Sequence, residues 1–157
     1  GNHAAIITYR NEPLFNKIRD FLNDIGYRGF SNFDIKYDAE NDTCRVFEIN
    51  LRQGRSNYYV TGSGINIARL IVEDCFDTLG DEIIYGKPDT FWHPVPLGVI
   101  YKYTADKSLV EKAKMIVKSG NVSSSLGYGY DLRINPCRYA YFLIHNFRYY
   151  KKYRLYH

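Results

Sequence analysis

The sequence predicts an α+β fold, a mostly antiparallel sheet flanked by helices. Three observations carry this. The chain has 157 residues, 45% hydrophobic and 24% charged, the balance of an ordered globular protein and room for one domain. Two adjacent strand-like runs, residues 30–37 and 43–51, bracket the polar cluster Asp38-Ala39-Glu40-Asn41-Asp42, which reads as a hairpin turn. Around them lie segments whose apolar residues recur at helical spacing.

Taken in order, residues 4–9 alternate weakly and read as a short strand. Pro13 sits at a first-turn position of a helix in which Leu14, Ile18, Phe21, Leu22 and Ile25 share a face, and Gly26 ends it. After the hairpin, residues 52–64 are a loop rich in Gly, Ser, Asn and Arg. Residues 65–79 read as a helix with Ile67, Leu70, Ile71, Cys75 and Leu79 on its apolar side, which makes Cys75 a core cysteine. Residues 85–96 hold three Pro and no period, residues 97–103 read as a strand, and residues 108–118 form a short helix facing inward with Leu109, Ala113, Ile116 and Val117. Residues 119–135 read as loop. A last helix starts at Pro136, capped by Asn135, and runs to about Tyr153.

Composition narrows the function classes. The balance of 21 Lys+Arg against 17 Asp+Glu is too mild to mark a nucleic-acid binder, and no nucleic-acid partner is expected. No apolar run approaches the roughly 18 residues of a membrane span. Three widely spaced cysteines, Cys44, Cys75 and Cys137, suit neither a disulfide framework nor a zinc site and point to a reducing compartment. Gly1-Asn2-His3 reads either as a cleavage scar, with the natural chain continuing upstream, or as a mature terminus leading into an edge strand.

The hairpin carries the chemistry. With period two, Phe33, Ile35 and Tyr37 share one face of the first strand and Asn32, Asp34 and Lys36 the other. On the second, Phe47, Ile49 and Leu51 oppose Glu48, Asn50 and Arg52. Folding symmetrically about Asn41 sets Asp34 opposite Glu48, Ile35 opposite Phe47, Phe33 opposite Ile49 and Asn32 opposite Asn50, so the apolar faces coincide. Two opposed carboxylates repel unless Lys36 screens them or a cation sits between them. The face therefore reads either as the solvated side of an ordinary hairpin or as a hard oxygen cluster for Mg²⁺ held with a phosphate. Arg52-Gln53-Gly54-Arg55-Ser56-Asn57 follows at once, with forked guanidinium donors and free backbone N–H groups suited to anionic oxygens.

Phe33-Asp34-Ile35 followed by Phe47-Glu48-Ile49-Asn50-Leu51-Arg52 resembles the terminal motif of the ATP-grasp superfamily, and Gly26-Tyr27-Arg28-Gly29-Phe30 resembles its approach to the first of those strands. The longer run to Tyr59 is most similar to the carboxylate–amine ligase branch, which includes D-aspartate-joining enzymes of peptidoglycan synthesis. The resemblance covers about residues 4–75. Leu51 stands where the family often has Pro.

The resemblance implies ATP and Mg²⁺ as cofactors, with Asp34, Glu48 and Asn50 as metal ligands. Asn50 and Arg52 would lie on the nucleotide side, Arg52 and Arg55 would be catalytic, and Arg55 with Ser56 would face substrate. It implies an incomplete C-terminal lobe: residues 1–80 as the subdomain with the metal-binding hairpin, residues 81–157 as an extension, and the ATP-gripping lobes upstream in a longer chain, so that this piece is inactive alone. The reaction implied is activation of a carboxylate as an acyl phosphate and its capture by an amine, in the cytoplasm, at or near the inner membrane surface.

Other residues have plainer readings. His93 is structural, and Asp74 and Asp77 are surface charges. The rival to the ligase reading is the C-terminus. Residues 132–157 hold six basic residues and no acid, leaving 15 Lys+Arg against 17 Asp+Glu elsewhere, and half of the 16 Tyr lie from Tyr128 onward. Ala140, Leu143, Ile144 and Phe147 make one stripe, and Arg138, His145, Arg148 and Lys152 another. Either the apolar stripe docks on the domain, or the segment is a non-catalytic binding module for a polyanion or a membrane surface.

Overall fold

The computed structural model of the chain describes residues 3–126 and 133–156. The chain packs as two compact units, Tyr9–Asn57 and Gly1–Thr8 with Tyr58–His157. The fold is α+β, with two small sheets in place of one mostly antiparallel sheet.

In the unit Tyr9–Asn57, helix α1 (Glu12–Asp24) is capped by Asn11, whose Oδ1 accepts from the Leu14 N–H at 3.1 Å, with Pro13 in its first turn. It stops where Gly26 takes φ +65°, which costs glycine nothing. Strands β2 (Asn32–Asp38) and β3 (Thr43–Asn50) form an antiparallel pair. Asp38 shapes the turn by accepting from the Glu40 N–H at 3.1 Å and Asn41 Nδ2 at 2.9 Å, and the Asn41 bond holds its carboxyl below the usual carboxylate range.

The expected register holds at Asn32↔Asn50, Phe33↔Ile49 and Asp34↔Glu48, and then shifts. A bulge leaves Phe47 as the extra residue, so Ile35 pairs with Val46 instead of Phe47, and Lys36 pairs with Arg45. The apolar face is not a core face. Phe33 is half-buried and meets Phe21 edge-on at 6.4 Å, but Val46, Phe47, Ile49 and Leu51 are exposed, Phe47 at 70%.

Among the described residues, the second unit holds every buried side chain. Strand β4 (Phe91–His93) is central, antiparallel to β1 (Ile6–Ile7) and parallel to β5 (Val122–Ser124). Neither β4 nor β5 is legible as a strand in the sequence, because each is only three residues long. The helices are α2 (Tyr58–Gly62), within the expected loop, then α3 (Ile67–Cys75), α4 (Leu97–Tyr103), α5 (Lys107–Lys118) and α6 (Pro136–Tyr156).

Residues 97–103 are a helix and not the expected strand. Pro96 stands at its N-cap position, and the Ile100 N–H bonds the Pro96 carbonyl at 3.2 Å. Val99 and Ile100 share the face turned to the core with Tyr103, four and three residues further on. Phe91, Val95, Val99, Ile100, Ala113 and Ile116 form the core, with Phe91 and Val99 fully buried. On α5 the inward residue is Val110, while Leu109 is 49% exposed. Cys75 is exposed, because no residue of α3 is buried, and Cys44 on β3 and Cys137 on α6 are exposed as well.

Helix α6 docks through the opposite side from the one expected. Tyr149 and Tyr153 pack on the core, Tyr153 against Tyr103 at 5.6 Å, and Phe142, His145 and Asn146 on the same side are half-buried. Leu143, Ile144 and Phe147 stay exposed. Gly98 has no Cβ because one would collide with the Tyr150 hydroxyl. Part of the Tyr-rich segment, Tyr128 and Tyr130, lies outside the described residues.

Candidate metal and phosphate site

The paired strands bring four of the expected site residues, Asp34, Glu48, Asn50 and Arg52, to one end of the hairpin. Asp34 and Glu48 are direct cross-strand partners, with Asn32 and Asn50 as the next pair on that face. Both carboxylates are held by amides. Asn32 Nδ2 donates to Asp34 Oδ1 at 3.2 Å, and Asn50 Nδ2 donates to Glu48 Oε1 at 3.0 Å. The chain of contacts runs on: Arg52 Nη2 donates to Asn50 Oδ1 at 3.1 Å, and its Nη1 donates to the Gln53 carbonyl at 3.0 Å. Glu48, Asn50 and Arg52 thus form a continuous polar line. The guanidinium is fixed by a neutral amide, so its charge is not cancelled by a carboxylate.

The loop that follows lies close to this end of the hairpin. Gly54 is tight: a Cβ there would lie 2.8 Å from Asn57 Oδ1 and 3.1 Å from Asn32 Oδ1. The Asn57 N–H bonds back to the Gly54 carbonyl at 3.3 Å, closing a turn that carries Arg55 and Ser56 at its centre. Arg55 is exposed and Ser56 half-buried, and among the described residues neither forms a hydrogen bond or ion pair with the four hairpin residues. Sequence reasoning does not single out Asn32, Gly54 or Asn57 as site residues. The place of Asn32 opposite Asn50 is the signal that could have found it.

Lys36 does not screen the acidic pair. The bulge sets it opposite Arg45, and among the described residues neither Asp34 nor Glu48 has an ion-pair partner. Arg45 makes one long contact, 3.9 Å, to Asp38 at the turn. The face is therefore segregated: two carboxylates opposed at the open end, two cations opposed nearer the turn.

The donor set fits Mg²⁺ in chemistry. It is all oxygen, it supplies two carboxylates, and Asn50 Oδ1 keeps a lone pair beside the one that Arg52 occupies. Among the described residues no group of three or more His, Cys, Asp or Glu comes together, and Mg²⁺ is commonly bound by one or two carboxylates with phosphates and water completing the shell. A groove of about 340 Å³ on α1, lined by Phe15, Ile18, Leu22 and Tyr27, includes none of these residues.

His93 is structural, as expected. It is buried, stacked on Phe91 at 5.6 Å, and its Nδ1 bonds the Val95 carbonyl at 2.8 Å. Burial pushes its pKa below the ordinary value, partly offset by the Val95 bond.

No known protein-family profile matches the chain, and no solved structure matches it. Among curated proteins it is similar to the D-aspartate ligase of Enterococcus faecium (strain Aus0004), 34% identical over 152 residues, which is 94% of this chain and 36% of that protein. The chain thus spans about a third of the relative's length, and the likeness relates it to a ligase.

Proposed function

We propose that this chain is the C-terminal part of an ATP-dependent carboxylate–amine ligase and carries part of its metal and phosphate site. The observation that supports this best is the hairpin register. It sets Asp34 against Glu48 and aligns Asn50 and Arg52 behind them, in a chain related to a ligase. Asp34, Glu48 and Asn50 would hold Mg²⁺, which when bound would neutralise phosphate charge on ATP. Arg52, held by Asn50, would place its forked donors on the transferring phosphoryl group, where charge builds up. Arg55 and Ser56, carried outward on the Gly54–Asn57 turn, would meet the substrate. The reaction class is formation of an acyl phosphate and its capture by an amine, with D-aspartate as a substrate in peptidoglycan precursor synthesis, in the cytoplasm.

The rest of the enzyme would grip the nucleotide. The exposed Val46, Phe47 and Ile49 suit this arrangement, since apolar strand residues in water call for a covering surface. In the longer protein, Glu48→Gln should abolish ATP-dependent amide formation with folding intact. Arg52→Lys should lower kcat by roughly 10²–10³, the usual cost of one donor to developing charge. Undiminished turnover in Glu48→Gln would overturn the proposal.

A further inference from the structure

The outward face of α6 belongs to no site described above. Its middle presents Leu143 (50% exposed), Ile144 (53%) and Phe147 (72%) side by side. At 100° per residue the same face continues into Lys151 and Arg154, flanked by Arg148 and Lys152. Residues 133–157 contain no Asp or Glu, and among the described residues none of these four cations has an ion-pair partner. The helix is 21 residues long, and among the described residues no helix is long and apolar enough to cross a membrane.

We infer that this face rests on an anionic lipid surface, with Leu143, Ile144 and Phe147 entering the boundary between headgroups and acyl chains and Arg148, Lys151, Lys152 and Arg154 on the lipid phosphates. Two features select this occupant. Leu143 and Ile144, the aliphatic part of the patch, gain from hydrocarbon and find no partner in a nucleic acid, where bases stack on aromatic rings. A second copy is a poor fit as well: packed parallel it sets cations on cations, and packed antiparallel about the apolar patch it leaves the four cations without an anionic partner.

The test is co-sedimentation of the chain with vesicles of phosphatidylcholine and phosphatidylglycerol in equal parts, against phosphatidylcholine alone. Binding should require the anionic lipid and fade at high salt, arms that need no variant. Neutralising Arg148, Lys151 or Arg154 to Gln should each weaken binding about fivefold. Phe147→Ser should weaken it roughly tenfold with unchanged circular dichroism. Phe147→Trp should shift its emission to the blue when mixed vesicles are added, above the constant signal of buried Trp92. Equal binding to both vesicle types, no effect of Phe147→Ser, no blue shift, or binding to a single-stranded oligonucleotide in place of vesicles would overturn the proposal.

Discussion

Replacing Glu48 by Gln should stabilise the metal-free chain. Directly opposed residues of an antiparallel pair have Cβ atoms about 5 Å apart. Unit charges about 6 Å apart repel by about 0.7 kcal/mol in water and about 3 kcal/mol at an effective dielectric of 20. Glu48 is exposed and Asp34 half-buried, so the value lies near the aqueous end, and the Asn32 and Asn50 amides offset part of it. The glutamine side chain keeps an oxygen for Asn50 Nδ2, so little else is lost. The net gain should be about 0.5–1 kcal/mol in EDTA, read from urea unfolding by circular dichroism. Adding Mg²⁺ should reverse the order, because a cation that binds only the folded wild-type hairpin stabilises it by mass action, about 1.4 kcal/mol at tenfold its Kd. A loss of more than about 0.5 kcal/mol in EDTA would mean the Glu48 charge is held by a structural partner, and an equal Mg²⁺ gain in both proteins would mean no cation sits between the strands; either result refutes the reasoning.

Two further outcomes concern the second unit. Phe91→Ala, at the largest fully buried side chain, should cost about 3–5 kcal/mol in urea unfolding while leaving the hairpin's Mg²⁺ response in place. His93 gives the chain a pH dependence whose sign is set by burial: its native pKa is lowered, so the unfolded chain binds the extra proton. Its contribution is fully present above the ordinary value of ~6.5 and is lost as pH falls from there toward the native pKa. Unfolding midpoints from pH ~7.5 to ~5 should fall in the wild type and fall less in His93→Phe.

The parts of the fold that were legible are those fixed by local chemistry. Asn11, Pro13 and Gly26 bound α1, Asn135 caps α6, and alternation with a polar turn gives β2 and β3. The errors come from packing. Residues 97–103 have strand-like composition, but they follow Pro96 as a helix that packs Val99, Ile100 and Tyr103 on the core at helical spacing. A periodic stripe says which residues align and not which side is covered, so α6 docks its tyrosines and leaves Leu143, Ile144 and Phe147 outside, and Cys75 stays exposed on α3. In the site, the Asp34–Glu48 pairing was legible because it lies on the open side of the bulge. The loss of Lys36 as a screening charge was not, since one extra residue at Phe47 moves its partner from Val46 to Arg45.

That misplacement of charge is itself informative. A hairpin arranged for its own stability would set Lys36 or Arg45 across from a carboxylate, worth up to about 1 kcal/mol per pair. Here the register opposes acid to acid and base to base on one face, so both pairs oppose folding of the hairpin alone. No residue of Tyr9–Asn57 is buried, so this unit has little core to absorb such a cost, while the buried side chains lie in the other unit. A polar face that lowers the stability of its own weakly packed unit is the pattern expected where a ligand supplies the missing charge. Exchanging the partners, as in Glu48→Lys with Arg45→Glu, should therefore strengthen the isolated hairpin while removing its Mg²⁺ response, a trade that an ordinary solvated face would not show.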